Sequence, residues 1–238
     1  MPGRKRRIAL AILGAPLFVA CILHGTNAAR EPAPSIAAIV QVHAEPAPPP
    51  APEPAPVAWA DALQPILVKN PNAETEARVL LYRKDGSLDS AAVEDFVRVV
   101  ARDEKVHPIQ VRAIQLAFKV AYHFQAKEMV VISAYRPSRR GARKGPHAQG
   151  AAIDFQLPGV SARTVAAYAR TLARAGVGIY THPKTQFVHV DARDESYHWV
   201  DSSPPGRTYR EQRVMDPKGP DRDAAWSADA DLPEGATD

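Results

Sequence analysis

Across residues 45–56 nearly every position is proline, alanine or glutamate. Such a run has no apolar surface to bury and little backbone freedom, so it extends as polyproline II and acts as a spacer. It divides the chain. A packed core has to form on its C-terminal side, where residues 60–202 have the length of one ordinary domain. Hydrophobic residues make up 45% of the 238, enough for that core, while 23 prolines against 13 glycines mark another part as non-globular. From Ser203 onward the sequence is rich in Pro, Asp, Arg and Gly without apolar periodicity, which predicts a disordered tail over 203–238.

The residues before the spacer have the layout of an export signal. Arg4, Lys5, Arg6 and Arg7 form a basic start, and an apolar stretch over 8–23 follows, interrupted by Gly14 and Pro16. That stretch falls short of the ~20 residues of a membrane span and suits a secretory hydrophobic region. Thr26, Asn27, Ala28 and Ala29 offer small residues for cleavage. Phe18-Val19-Ala20-Cys21 is also an imperfect lipid-attachment box, so a lipid on Cys21 is the alternative to a cleaved signal or uncleaved anchor over 1–29, with the spacer over 30–59. Every version places the mature chain in the periplasm or cell envelope, with membrane contact only through that anchor or lipid. Cys21 is the single cysteine, which excludes an internal disulfide and any cysteine-built zinc finger or iron–sulfur centre. The formal net charge of +4 serves solubility and would also suit an anionic surface. No basic-plus-aromatic pattern accompanies it, which with export argues against a nucleic-acid partner.

Within the body, residues 77–83 (ARVLLYR) read as a short strand ending at Lys84-Asp85-Gly86. Asp89 or Ser90 caps a helix with Val93, Phe96, Val97 and Val100 on one face. Pro108 suits the first turn of a second helix, whose stripe is Val111, Ile114, Phe118, Ala121 and Tyr122. Residues 129–134 (MVVISA) and 151–156 are strands, and 187–191 (FVHVD) alternates like one. Ser161 caps a third helix running to Ala175, with Val165, Tyr168 and Leu172 inward and Gly176 as its stop. Helices precede strands that carry polar residues. The pattern is α+β, with a small antiparallel sheet, helices packed on one side of it, no internal repeat and an expected monomer.

Three polar residues stand where ordinary ones belong. His147 opens the segment 147–155, Asp154 interrupts an apolar strand, and His189 sits between Val188 and Val190 in another. A buried aspartate is costly unless paired or bound to a metal. If the two strands are neighbours, Asp154 and His189 converge on one face, and the loop carrying His147 closes over them with Gly150 permitting a tight approach. Two imidazoles and a carboxylate suit zinc, whose catalytic sites use three protein ligands and keep a fourth position for water. Spacing alone leaves the other reading open: a satisfied core histidine at 189 and a surface histidine at 147.

His147, Gly150, Ala152 and Asp154 match H-x-x-G-x-A-x-D in order and spacing, after Ser133-Ala134-Tyr135-Arg136-Pro137 and before Gly176-Val177-Gly178-Ile179-Tyr180, Phe187-Val188-His189-Val190-Asp191 and Trp199. Together these resemble the D-alanyl-D-alanine metallopeptidase and hedgehog group, in its murein endopeptidase K-like branch, over roughly residues 77–203. The resemblance implies zinc on His147, Asp154 and His189. It gives Arg136 the task of orienting substrate or stabilising the scissile carbonyl oxygen, against the alternative of a structural salt bridge. It further implies peptidoglycan stem peptides as substrate and an endopeptidase rather than a carboxypeptidase. A non-catalytic wall-binding module on the same fold is the other function it allows. Many relatives carry an acidic residue three positions before the last zinc histidine. Here that position is Gln186, which cannot take a proton. Asp191 lies two residues after His189 on the same strand face and is the first candidate for proton acceptor, or else a partner that orients His189. His182 is the second candidate and His198 the third. Arg139, Arg140, Arg143 and Lys144 either meet stem-peptide carboxylates or form a solvated loop.

Overall fold

A computed structural model describes residues 54–101, 107–138 and 145–235. The export signal, Cys21, the spacer up to Glu53 and the basic loop with Arg139, Arg140, Arg143 and Lys144 lie outside the described residues. No helix among the described residues is long and apolar enough to cross a membrane.

The order along the chain is α1 (Ala58–Asp61), β1 (Ile66–Asn70), β2 (Thr75–Val79), α2 (Ser90–Val99), α3 (Val111–His123), β3 (Glu128–Ser133), a 3-10 turn (Pro146–Gln149) and β4 (Ala152–Gln156). It continues with α4 (Ala162–Ala169), β5 (Ala175–Tyr180), β6 (Val188–Ala192), β7 (Tyr197–Asp201), β8 (Gln212–Val214), α5 (Gly219–Ala224) and a second 3-10 turn (Ala228–Asp231). The strands form one eight-stranded sheet, ordered β2-β1-β3-β4-β6-β5-β7-β8. The α+β class is as expected. The sheet is wider than a small antiparallel one, because β1 pairs with β3 and β5 with β7 in parallel.

Local chemistry sets the helix ends. Asp89 caps α2 by accepting from the amides of Ala91 and Ala92, and the Ser161 hydroxyl caps α4 by accepting from Thr164 at 3.1 Å. The second helix starts at Val111 rather than at Pro108, and Val111 is exposed rather than part of the buried stripe. Helix α2 packs on β1 and β2, α3 on β4 and β6, and α4 on β5 and β6.

Strand alternation divides the sheet's two faces. Ile153, Phe155, Val177, Ile179, Val188 and Val190 enter the hydrophobic core with Phe96, Ile114, Phe118 and Val165 from the helices. Each such buried side chain contributes about 1.5–3 kcal/mol. The residues between them share the opposite face. One row runs Asp154, His189, Gly178, Trp199, and the neighbouring row runs Ala152, Asp191, Gly176, Tyr197. The pleat that fills the core therefore also collects the polar residues on the other side.

Two further expectations need correction. The third helix ends at Ala169, and the chain from Ala175 is strand β5 rather than the end of that helix. The segment Ala175–Tyr180 (AGVGIY) has glycine at alternate positions because bulky groups lie over them: a Cβ on Gly178 would stand 2.4 Å from the Trp199 ring. The region after Ser203 is also not a structureless tail. It adds β8 to the sheet edge and docks α5 and the second 3-10 turn on the body. Buried carboxylates rather than an apolar stripe hold it: Asp223 accepts from Ser196 and Arg174, and Asp231 from Arg112. Gly178→Ala is expected to lower unfolding free energy by about 1–3 kcal/mol through overpacking against Trp199, read as a lower urea midpoint; an unchanged midpoint would contradict this packing.

Candidate metal centre

Three elements deliver the site. Strands β4 and β6 are antiparallel neighbours whose register sets Asp154 directly opposite His189. His147 comes from the 3-10 turn before β4, which ends at Gly150 with φ of +66°. A side chain there would place its Cβ 2.2 Å from the Pro108 carbonyl oxygen, so glycine lets the turn lie against the chain that leads into α3. His189 Nδ1 lies 2.8 Å from Asp154 Oδ1, and His147 Nε2 lies 3.1 Å from His189 Nδ1 and 3.2 Å from Asp154. One ligand atom from each of the three residues falls within 4.8 Å of the other two, and all three residues are buried.

The atoms behind the imidazoles decide what the pocket presents. His147 Nδ1 faces the Ala134 carbonyl oxygen, so it carries the hydrogen and donates there, leaving the Nε2 lone pair directed inward. His189 Nε2 faces Asp191 Oδ2 at 2.8 Å and donates to it, leaving Nδ1 directed inward. Two nitrogen lone pairs and a carboxylate then point at one small volume. That set of acceptors needs a positive centre, either a proton or a metal ion. Burial pulls the His189 pKa down, but the hydrogen bonds and charges of Asp154 and Asp191 outweigh it and push it up to about 9. Burial raises the Asp154 pKa, and hydrogen bonds from His147 and His189 outweigh that and hold it well below the usual carboxylate range.

Arg136 is brought to the site. It follows β3, its side chain is 47% exposed, and one guanidinium nitrogen stands 3.5 Å from Asp154 Oδ2. The pocket therefore has a cation at its solvent side. Asp191 is on the correct face but behind the ring of His189, fully buried, with Arg193 Nε donating to it at 2.6 Å and Arg193 Nη2 closing a second bond. This engagement fits the orienting role rather than proton acceptance. His182 lies on the loop after β5, where its Nδ1 accepts from the Lys184 amide at 3.2 Å, and the structure does not bring it into hydrogen-bond contact with the three ligands. His198 is not a site residue: it is buried on the helix-facing side of β7, 3.7 Å from Asp216. Gln186 is exposed, and its carbonyl oxygen accepts from Gln156.

Sequence reasoning missed Arg193, whose position two residues past Asp191 is the only signal, and Tyr180. Tyr180 stacks on Phe187 with ring centroids 4.2 Å apart and lies on the site face, one row from Gly178. Burial and the nearby charges of Asp154, Asp201 and Glu211 push its phenol pKa up, so it stays protonated.

Two imidazole nitrogens and one carboxylate are the protein donor set of many hydrolytic metal centres. Comparison with known proteins narrows that class. Residues 62–199 match the family described as peptidoglycan L,D-endopeptidase MepK, and the chain belongs to that family. A protein named "Probable peptidoglycan L,D-endopeptidase MepK" from Haemophilus influenzae is 30% identical over 109 residues, 41% of this chain and 58% of the relative. "Peptidoglycan L,D-endopeptidase MepK" from Escherichia coli is 32% identical over 83 residues, 31% of this chain and 44% of the relative. The chain thus spans about half the length of the curated relatives it matches. No solved structure matches.

A metal ion and a proton compete for His189 Nδ1. Apparent zinc affinity, measured by chelator competition, is expected to rise about tenfold per pH unit between pH 7 and the His189 pKa of about 9, then flatten. A pH-independent affinity would contradict the raised His189 pKa.

Proposed function

We propose that this chain is a zinc-dependent peptidoglycan L,D-endopeptidase that cuts cross-linked stem peptides outside the cytoplasmic membrane. The observation that carries the reading is the convergence of His147, Asp154 and His189 within 4.8 Å, inside the family match and beside Arg136. The names of the relatives support the substrate class. The basic and apolar N-terminus and the proline-rich spacer support export and a tethered monomer reaching into the wall.

His147 Nε2, Asp154 and His189 Nδ1 would hold zinc, which supplies a bound water of lowered pKa and a polarised peptide carbonyl. The chain's own residues do the rest. Arg136 orients the scissile carbonyl and offsets negative charge on its oxygen as the bond is attacked. Asp191 keeps His189 in the tautomer that presents Nδ1. A proton has to leave the attacking water and reach the departing amine. With Asp191 engaged and Gln186 unable to accept, His182 on the β5–β6 loop is the remaining candidate; its Nδ1 accepts from the Lys184 amide, so the neutral ring carries its hydrogen on Nε2, and taking a second proton at Nδ1 requires that amide to let go. The alternative is a wall-binding module that keeps the metal without cleaving. Gln186 at a position where relatives carry an acid is the feature that favours it.

Purified protein is expected to cleave L,D-cross-linked muropeptides when zinc-loaded and to stop with a chelator. Arg136→Ala is expected to lower kcat about 100-fold with zinc stoichiometry unchanged, and His182→Ala to lower kcat with little change in KM. Binding of muropeptides without cleavage by the zinc-loaded wild type would select the module instead.

A further inference from the structure

The family match ends at residue 199, yet the chain beyond it docks against the turn between β6 and β7. That turn carries Arg193, and Arg193 grips Asp191 with both ends of its fork. Nε donates to Oδ1 at 2.6 Å and Nη2 to Oδ2, the oxygen that also accepts from His189 Nε2. Room for the fork comes from Gly176, where a Cβ would stand 2.2 Å from Arg193 Nη2. The rings of Tyr197 and Trp199 lie 5.5 and 5.8 Å from the guanidinium carbon.

The turn is pinned from two sides. Asp223 of α5 accepts from the Ser196 amide at 2.6 Å, from the Ser196 hydroxyl at 2.7 Å and from the Arg174 amide at 2.5 Å. Arg112 of α3 donates to the carbonyl oxygens of Arg193, Arg174 and Ala173, and is itself held by Asp231, whose Oδ2 accepts from Arg112 Nε at 2.7 Å. The guanidinium carbons of Arg112 and Arg174 lie over the Trp226 ring, 4.9 and 4.7 Å from its centre. Its indole nitrogen donates to Asp231. Asp223, Trp226 and Asp231 all come from the C-terminal segment.

We propose that Arg193 is a positioning residue for the metal centre, acting through Asp191 on His189, and that the C-terminal segment 216–232 fixes the turn that carries it. A carboxylate behind a ligating histidine sets which ring nitrogen faces the metal and how the ring is aimed. Asp191 does this only while its own two oxygens are fixed, and the Arg193 fork fixes both. The C-terminal segment thereby becomes part of the apparatus that shapes the metal pocket, although it contributes no ligand.

The inference rests on the metal-centre reading, and the experiment separates the two. Zinc dissociation constants of full-length protein and its variants are measured by competition with a chromophoric chelator, alongside thermal unfolding of the metal-free forms. Arg193→Gln is expected to weaken zinc binding 10- to 100-fold. Arg193→Lys, a point charge that cannot bridge both oxygens, is expected to recover only part of that loss. Asp223→Asn, isosteric and remote from the ligands, is expected to weaken it several-fold. A purely structural role would lower the unfolding temperature and leave the zinc constant of the folded protein alone. Zinc affinity of Arg193→Gln within twofold of wild type overturns the proposal, and the same result for Asp223→Asn overturns the part given to the C-terminal segment. A wild-type chain that binds no stoichiometric zinc defeats the metal-centre reading itself, and this proposal with it.

Discussion

The pairing of β4 with β6 is the constraint on which everything else depends. It sets Asp154 opposite His189 on the face away from the helices, and sends Ile153, Phe155, Val188 and Val190 into the core. A slip of one residue in either strand would bury a carboxylate or an imidazole among apolar side chains and expose a valine or phenylalanine in its place. Core packing and site geometry are thus enforced by the same register. The hydrophobic burial that makes the domain fold is what fixes the distance between two of its proposed ligands.

Around that pair the structure makes space by omission. Gly176 and Gly178 strip the floor of β5, so that the Asp191–Arg193 ion pair and the Trp199 ring can lie flat on the sheet next to His189. Gly150 does the same for the turn that brings His147 in from above. The glycines sit where a second layer of side chains has to approach the backbone. That second layer chooses the tautomers: the Ala134 carbonyl oxygen for His147 and Asp191 for His189. His147 Nε2, His189 Nδ1 and the Asp154 carboxylate are consequently aimed at one volume before any ion arrives, with only the proton on His189 Nδ1 to displace, which is the preorganisation a metal centre needs.

Much of this was legible in the sequence, for identifiable reasons. Asp154 and His189 stand out because each breaks an apolar alternation, and two-residue periodicity predicts which face they share. Helix α2 announces itself by Asp89 and a spaced apolar stripe. Strand β5 is not predicted, because Gly176 and Gly178 interrupt the β-branched Val177 and Ile179 of AGVGIY; those glycines leave room for the Trp199 ring over Gly178, which local sequence does not contain. The parallel partners of β1 and β5 depend on tertiary placement in the same way. The C-terminal segment carries no apolar periodicity in its sequence; Asp223, Asp231 and the Trp226 ring against the guanidinium groups of Arg112 and Arg174 hold it instead. For Asp191, same-face reasoning gave the correct side of the sheet. It could not tell which edge of the His189 ring the carboxylate meets, and that edge separates a proton acceptor from an orienting partner.

The proposed chemistry requires that His147, Asp154 and His189 hold one metal ion. Anomalous diffraction at the zinc edge from crystals grown with equimolar zinc tests it most directly. A single peak is expected, bound by His147 Nε2, His189 Nδ1 and an Asp154 oxygen at about 2.0–2.2 Å, with Asp191 on the far edge of the His189 ring. No peak at this position, or a metal bound through His189 Nε2 beside Asp191, would contradict it.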